Sequence, residues 1–192
     1  MFTALLDTCV LWPSLQRDVL LSLAAEGMYR PAWSSVILAE LEYEQAAKLA
    51  RRGVAPTDAE NRAAHLIQQM RQAFDDAEIA GWEGLEGTYG LPDPDDEHVV
   101  AAAVVAGAGA IITLNTKDFP ATLLPSGLET LRPAEFVANT VALDPHRALR
   151  AIRTIADRIG AHGPARTVTE LLDILVSRYG FDDAVHQIRS IQ

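Results

Sequence analysis

Residues 93–120 decide the fold, and they read DPDDEHVVAAAVVAGAGAIITLNTKDFP. The stretch opens with four acids and continues with small apolar residues that predict a buried helix over Val99–Ala106, ended by Gly107. Ala110–Thr113 then predicts a short buried strand, which Asp118 follows. Ligands of an open α/β sheet bind beyond the carboxyl ends of its strands. Acids before this helix and after this strand therefore indicate an acidic pocket.

Further strands and helices alternate along the chain on both sides of this stretch. The alternation predicts an α/β fold, in which a central parallel sheet is flanked by helices in three layers, within residues 1–133. The other predicted strands are Phe2–Leu6, Met28–Trp33, Ala77–Trp82 and Leu128–Leu131. The other predicted helices of this part cover residues 14–25, 35–52 and 58–74, with a capping box over Thr57–Glu60 and a loop over Val10–Pro13.

Residues 134–192 predict a small all-α extension. Asp144-Pro145 is a typical helix start, Thr167–Glu170 forms a capping box, and Asp182 or Asp183 is expected to cap a last helix. A segment of this size buries too little surface to make independent folding certain. The sequence therefore predicts two domains, at 1–133 and 134–192.

Composition and charge exclude several classes of protein. The chain has a net charge of −10, and residues 1–130 hold 19 acidic against eight basic side chains, which argues against nonspecific binding to a polyanion. Apolar runs fall short of the roughly 20 residues of a membrane helix, and the start of the chain lacks the pattern of a secretory signal. The single cysteine fits a reducing compartment, so we expect a cytoplasmic protein without contact to a membrane.

Four carboxylates occupy matching places in the predicted sheet. Asp7 ends the first strand, Glu40 lies in the helix after the second strand, Asp96 starts the small-residue helix and Asp118 follows the fourth strand. Like charges packed together raise the cost of ionising one another, unless a divalent cation lies among them. Hard oxygen ligands in small number favour Mg²⁺ or Mn²⁺.

Each acid alone also has a local explanation. Asp96 is a natural helix N-cap, Asp118 can cap a turn, and Glu40 can belong to a solvated row with Glu42 and Glu44. Only the acid after the first strand lacks such an explanation, because a carboxylate at the end of an apolar strand normally needs a partner. The joint placement, and not any single acid, indicates a site.

Several motifs together resemble a known family. They are LLDT at 5–8, SSVILAELE at 34–42, DPDDEHVVAAAVVAGAGAIITLN at 93–115 and NTKDFP at 115–120. In this order they resemble PIN-domain ribonucleases, and specifically the VapC-like toxins of bacterial VapBC toxin–antitoxin pairs. The resemblance covers about residues 1–133, and the helical extension is similar to that of some longer VapC-like proteins.

The resemblance implies a Mg²⁺- or Mn²⁺-dependent endoribonuclease that hydrolyses RNA phosphodiester bonds. It makes an acidic quartet of Asp7, Glu40, Asp96 and Asp118, with polar support from Thr8 and Asn115. We expect the first and third of these acids to hold the metal directly, and the fourth to hold it directly or through water. Glu40 would orient the attacking water. The implied partners are RNA, a VapB-like antitoxin and a second copy of the chain, with apolar patches on the helices between Ser14 and Phe74 as candidate surfaces for the last two.

Three assignments have an alternative. Asp93 or Asp95 could share the metal site with Asp96. Glu42 lies about 200° around the helix from Glu40, so only one of the two faces the pocket, and the motif favours Glu40. His98 is expected to be a half-buried helix residue, with a catalytic base as the alternative.

One face of the first helix in the extension carries arginines. It has two interpretations: a solvated face, or a strip that contacts RNA phosphates. The arginines concerned are Arg147, Arg150, Arg153 and Arg158.

Two other functions compete with the nuclease. A haloacid-dehalogenase-type phosphatase also begins with an apolar strand that ends in Asp, but it needs a second Asp where this chain has Cys9. A PIN fold kept as a non-catalytic interaction module is the alternative from a different class.

Overall fold

The structure is a computed structural model of the chain and describes residues 1–162 and 164–192. Five strands form a parallel sheet in the order β3-β2-β1-β4-β5, so the first strand lies in the middle. Leu6 of β1 is in register with Ile112 of β4, which brings the carboxyl ends of these two strands together. The strands are β1 (Thr3–Leu6), β2 (Arg30–Ser34), β3 (Glu78–Ile79), β4 (Ala110–Ile112) and β5 (Glu129–Leu131).

Helices flank the sheet, and the described part of the region that follows it contains helices and no strand. The α/β fold with a helical C-terminal region, predicted from the alternating pattern, is confirmed. No helix among residues 1–162 and 164–192 is both long and apolar enough to cross a membrane. The helices are α1 (Thr8–Leu11), α2 (Ser14–Ala25), α3 (Ser35–Arg51), α4 (Pro56–Ala73), α5 (Glu97–Ala106), α6 (Pro133–Leu143), α7 (Pro145–His162), α8 (Val168–Tyr179) and α9 (Asp182–Arg189), with 3-10 turns at Glu83–Leu85 and Pro94–Asp96.

The chain divides into two compact units. One contains the sheet, from residues 2–12 and 31–130, and the other is helical, from residues 1, 13–30 and 131–192. The helical unit thus includes α2 as well as α6–α9, and α2 packs on α7. Within it, Tyr29 and Phe136 meet edge to face at 4.8 Å between ring centroids. The domain boundary at residue 133 stays a prediction drawn from the sequence.

The predicted helix ends agree with the structure where a specific cap is present. Gly107 ends α5 with φ of 63°, a left-handed conformation that glycine adopts without steric cost. The capping box of Thr167 and Glu170 starts α8 and has both of its hydrogen bonds.

Other local predictions were wrong. The capping box expected over Thr57–Glu60 does not form, because α4 already begins at Pro56, a residue suited to a first helical turn. Val10–Pro13 was expected to be a loop, but Thr8–Leu11 forms one helical turn closed by the carbonyl of Asp7. Four residues are too few to show a helical period in sequence.

Candidate functional site

Asp7 lies where β1 passes into α1 and is almost completely buried. Its backbone N–H donates to Ile112 O at 3.1 Å, which continues the pairing of β1 with β4. Its side chain does not cap α1 and instead accepts a hydrogen bond from Thr113 Oγ1 to Oδ2 at 2.6 Å. The Cys9 thiol donates to the same oxygen at 3.0 Å. Neutral donors therefore hold this carboxylate without neutralising it.

Sequence reasoning missed the roles of Thr113 and Cys9. Thr113 is fully buried directly after β4, and the strand register that brings it to Asp7 was not part of the prediction. Burial and the negative charge of Asp7 raise the pKa of the Cys9 thiol to about 12, so it stays protonated and can donate. A threonine directly after an apolar strand was the available signal.

Glu40 extends from the second turn of α3 toward the residue after Asp7. Thr8 Oγ1 donates to Glu40 Oε2 at 2.5 Å. On the other side, Nε2 of buried His98 lies 3.8 Å from Glu40 Oε1, and Ser34 Oγ lies 3.1 Å from His98 Nδ1. The structure thus brings together Glu40 and the polar support predicted at Thr8, and it adds a histidine that is more buried than expected.

The neighbouring glutamates on α3 point elsewhere. Glu42 lines an apolar groove between α3 and α4, and Glu44 lies 4.0 Å from Arg51. Of these three glutamates, Glu40 is therefore the one whose side chain extends toward Thr8, and Glu42 and Glu44 point away from it.

Asp96 occupies the N-cap position of α5 but makes no capping hydrogen bond. The capping role in this acidic segment belongs to Asp93, whose side chain accepts from Asp95 N at 3.0 Å. Burial and then the nearby charge of Asp7 raise the pKa of Asp96 from 3.8 to about 7. The carboxylates at positions 93, 118 and 40 add to this increase. The other three predicted acids thus lie close enough to Asp96 to raise its pKa.

Asp118 and Asn115 belong to the turn after β4. The Asp118 N–H donates to Asn115 O at 3.0 Å, and the Asn115 N–H donates to Thr113 Oγ1 at 3.0 Å. Thr113 therefore links the turn to Asp7. The contacts of Asn115 are made by its backbone.

The chemistry of these donors fits a hard divalent cation. Among residues 1–162 and 164–192, no Lys or Arg forms an ion pair with Asp7, Asp96 or Asp118. In the same part of the chain, no group of three or more His, Cys, Asp and Glu side chains is arranged as a ready metal cluster. Mg²⁺ commonly uses only one or two protein carboxylates and takes its remaining ligands from water and substrate phosphate.

Glu97 directly follows Asp96 but has a structural role. It is 3% exposed and accepts hydrogen bonds from Tyr89 N at 3.0 Å and Leu91 N at 3.1 Å. Burial alone would raise the pKa of Glu97, but these backbone donors lower it below the ordinary value. Glu97 therefore anchors the loop over residues 87–91.

The arginines of α7 lie in the helical unit, where an acid of α2 and the acid directly after α2 pair with two of them. Arg150 forms an ion pair with Glu26 at 3.1 Å, and Arg158 lies 3.5 Å from Asp18. Arg147 donates to the Glu26 carbonyl and also lies 3.5 Å from Asp144. Arg153 is exposed. Three of the four arginines thus have partners within the chain. The predicted contact of this arginine strip with RNA stays a prediction.

Comparison with known families agrees with the fold. The family model described as PIN domain matches residues 3–117, and this chain belongs to the PIN-domain family. Residues 133–190 match the family model described as VapC50 C-terminal domain, so the chain is a VapC-like PIN protein with a C-terminal extension. A search of curated proteins and a search of solved structures found no significant match.

Proposed function

We propose that this protein is a Mg²⁺- or Mn²⁺-dependent endoribonuclease. The observation that carries the proposal is the convergence on Asp96 of the charges of Asp7, Glu40 and Asp118, none of which is adjacent to it in sequence. Membership of the PIN family adds support, since PIN domains generally use divalent metals. The competing phosphatase has no such support, because the thiol of Cys9 stands where its second aspartate would be.

In this proposal Asp7 and Asp96 hold the cation directly, and Asp118 holds it directly or through water. The bound cation would polarise a phosphoryl oxygen of RNA and make a water more acidic. Glu40 accepts a proton from the attacking water, and Thr8 keeps its carboxylate oriented. Asn115 supports the turn that carries Asp118.

RNA cleavage by the purified chain tests the proposal. We expect cleavage with Mg²⁺ or Mn²⁺ and none with EDTA, and Asp7→Asn or Asp96→Asn should abolish it. Asp157→Asn, at an exposed position of α7, is the matched control and should cleave normally. Normal metal-dependent cleavage by either site variant would overturn the assignment of these ligands.

A calorimetric titration with Mn²⁺ separates the enzyme from a non-catalytic PIN module. An enzyme should bind the cation in the wild type and bind it far more weakly after Asp96→Asn. Absence of binding in the wild type, together with absence of cleavage, would favour the module. RNA and a model phosphomonoester assayed in parallel would separate a nuclease from a phosphatase.

The proposal extends to a toxin that acts on RNA in the cytoplasm and is controlled by an antitoxin. Its support is the match to the VapC50 C-terminal domain. An apolar groove of about 460 Å³ between α3 and α4, beside Tyr43 that is 73% exposed, offers a surface for the antitoxin or a second copy of the chain. Expression of the wild type should arrest bacterial growth, whereas Asp7→Asn should not.

A further inference from the structure

The buried pair of Ser34 and His98 has no part in the proposed chemistry, yet His98 lies next to Glu40, one of the four acids of the site. Ser34 is fully buried at the N-terminus of α3, and His98 is 3% exposed on α5. The ring of Trp82 lies 6.0 Å from the imidazole, centroid to centroid. The outer nitrogen of this imidazole lies 3.8 Å from Glu40.

The groups on the two sides of the His98 ring favour one position for its proton. Ser34 Oγ accepts from Ile37 N at 3.1 Å and lies 3.1 Å from His98 Nδ1, where either atom can be the donor. On the other side, Nε2 lies 3.8 Å from Glu40 Oε1, and an ionised carboxylate can only accept. A neutral imidazole is therefore favoured with its one hydrogen on Nε2 and with Nδ1 accepting from Ser34. The N–H of Nε2 faces the carboxylate of Glu40.

Glu40 is therefore flanked on two sides by residues remote in sequence. Thr8 Oγ1 donates a hydrogen bond to Oε2, and the Nε2–H of His98 faces Oε1 across 3.8 Å, which is longer than a hydrogen bond but short enough for electrostatic attraction. The side chain of Glu40 is about half exposed, so without these donors it would sample other rotamers. A carboxylate that accepts a proton from water must be held in hydrogen-bond reach of that water.

We propose that His98, with its tautomer set by Ser34, is a positioning residue that orients Glu40 for the reaction. This inference rests on the proposed ribonuclease function. His98 touches neither RNA nor metal in this scheme and acts only through Glu40. The proposal predicts that a substitution of His98 lowers RNA cleavage only when Glu40 is present.

The tautomer can be measured without activity. Long-range ¹H–¹⁵N spectra of the metal-free chain at pH 8 should show His98 in the Nε2–H form. Ser34→Thr keeps a hydroxyl and should preserve this form. A dominant Nδ1–H form in the wild type would overturn the proposal, whether or not the protein is a nuclease.

Two conservative replacements separate the two nitrogens. The amide of His98→Gln can place an N–H near the position of Nε2, whereas His98→Asn can contact Ser34 but cannot reach Glu40. We expect His98→Asn to lower kcat about 10–100-fold with little change in KM, the range for loss of a group that orients a residue of the site. His98→Gln should retain a larger share of the wild-type kcat, and exposed His65→Asn should leave kcat unchanged.

A double-mutant cycle gives the decisive readout. In the Glu40→Gln background, residual cleavage should be the same with His98 and with Asn at that position, because nothing remains to be positioned. Equal fold losses in both backgrounds would show that His98 only stabilises the fold, and would overturn the proposal. If the wild type cleaves no RNA, the proposed function fails, and the role of His98 in the reaction fails with it. The measured tautomer would still show whether Ser34 holds His98 in the Nε2–H form.

Discussion

Thr113 donates a hydrogen bond of 2.6 Å to Asp7 across a separation of 106 residues in sequence. The contact exists because β1 and β4 are parallel neighbours in register, so the residues after each strand meet. Both side chains are buried, and the bond has a charged acceptor. Such a bond contributes about 1.5–3 kcal/mol and fixes the rotamer of the carboxylate.

Removal of this hydroxyl should weaken the cation site. We expect Thr113→Val to reduce Mn²⁺ affinity about 10–100-fold, since the carboxylate loses its strongest orienting donor. Thr113→Ser keeps the donor and should bind almost normally. Isothermal titration calorimetry of both variants is the measurement, and equal affinity of the Val variant and the wild type would contradict the prediction.

The raised pKa of Asp96 makes the metal-free protein sensitive to pH. In the folded state this pKa is about 7 against an ordinary 3.8, so the folded chain retains a proton that the unfolded chain has lost. Stability should therefore fall as pH rises from about 4 to about 7, and this loss should be complete above that range.

Asp96→Asn should remove this component of the pH dependence. Thermal denaturation of the metal-free chain between pH 5 and 8.5 is the measurement, and the variant should gain most over the wild type at the alkaline end. Mn²⁺ should bind the wild type more tightly as pH approaches 7, because it competes with the proton. A gain that is the same at every pH would contradict this explanation.

Replacement of Glu97 should loosen the loop beside the site. Glu97→Gln removes the charge that accepts the N–H groups of Tyr89 and Leu91, at a cost of about 1.5–3 kcal/mol. Hydrogen exchange should rise over residues 87–91, and the free energy of unfolding should fall. Because the pKa of Glu97 is lowered in the folded state, its contribution should disappear as pH falls below 4.5 through that lowered value.

The exposed residue Glu129 provides a control for that experiment. Glu129→Gln removes the same charge from β5 and should change neither exchange in the loop nor stability by more than about 0.5 kcal/mol. An unaltered loop in Glu97→Gln would show that the anchoring contact is dispensable.

The arginine strip of α7 can be tested by charge reversal. If it contacts RNA, Arg150→Glu with Arg158→Glu should weaken RNA binding and flatten its salt dependence. If it serves only the ion pairs with Glu26 and Asp18, the salt slope should stay unchanged and stability should fall by about 1 kcal/mol or less per pair.

The matched control reverses the charge of two other arginines of the helical unit. Arg178→Glu with Arg189→Glu produces the same change in net charge, and it also breaks an ion pair, between Arg189 and Asp173. A fluorescence anisotropy titration at several salt concentrations compares the two double variants. RNA contact through the strip requires a larger effect for the α7 pair.

The fold class and the helical extension could be predicted from the sequence, together with the places of the four acids relative to strands and helices. Alternating apolar runs and helix caps are local signals, and Asp7 and Asp118 follow strands whose direction the alternation predicts. A local signal also placed the end of α5, because Gly107 has a conformation that favours glycine.

The neutral side chains that contact those acids could not be predicted, because folding alone brings them together. Thr113 reaches Asp7 through strand register, and His98 meets Glu40 because α5 and α3 belong to the same compact unit. It also decided that α2, early in the chain, packs with the C-terminal helices. Such contacts join residues far apart in the chain, and their energies come from packing and burial that no local window of sequence contains.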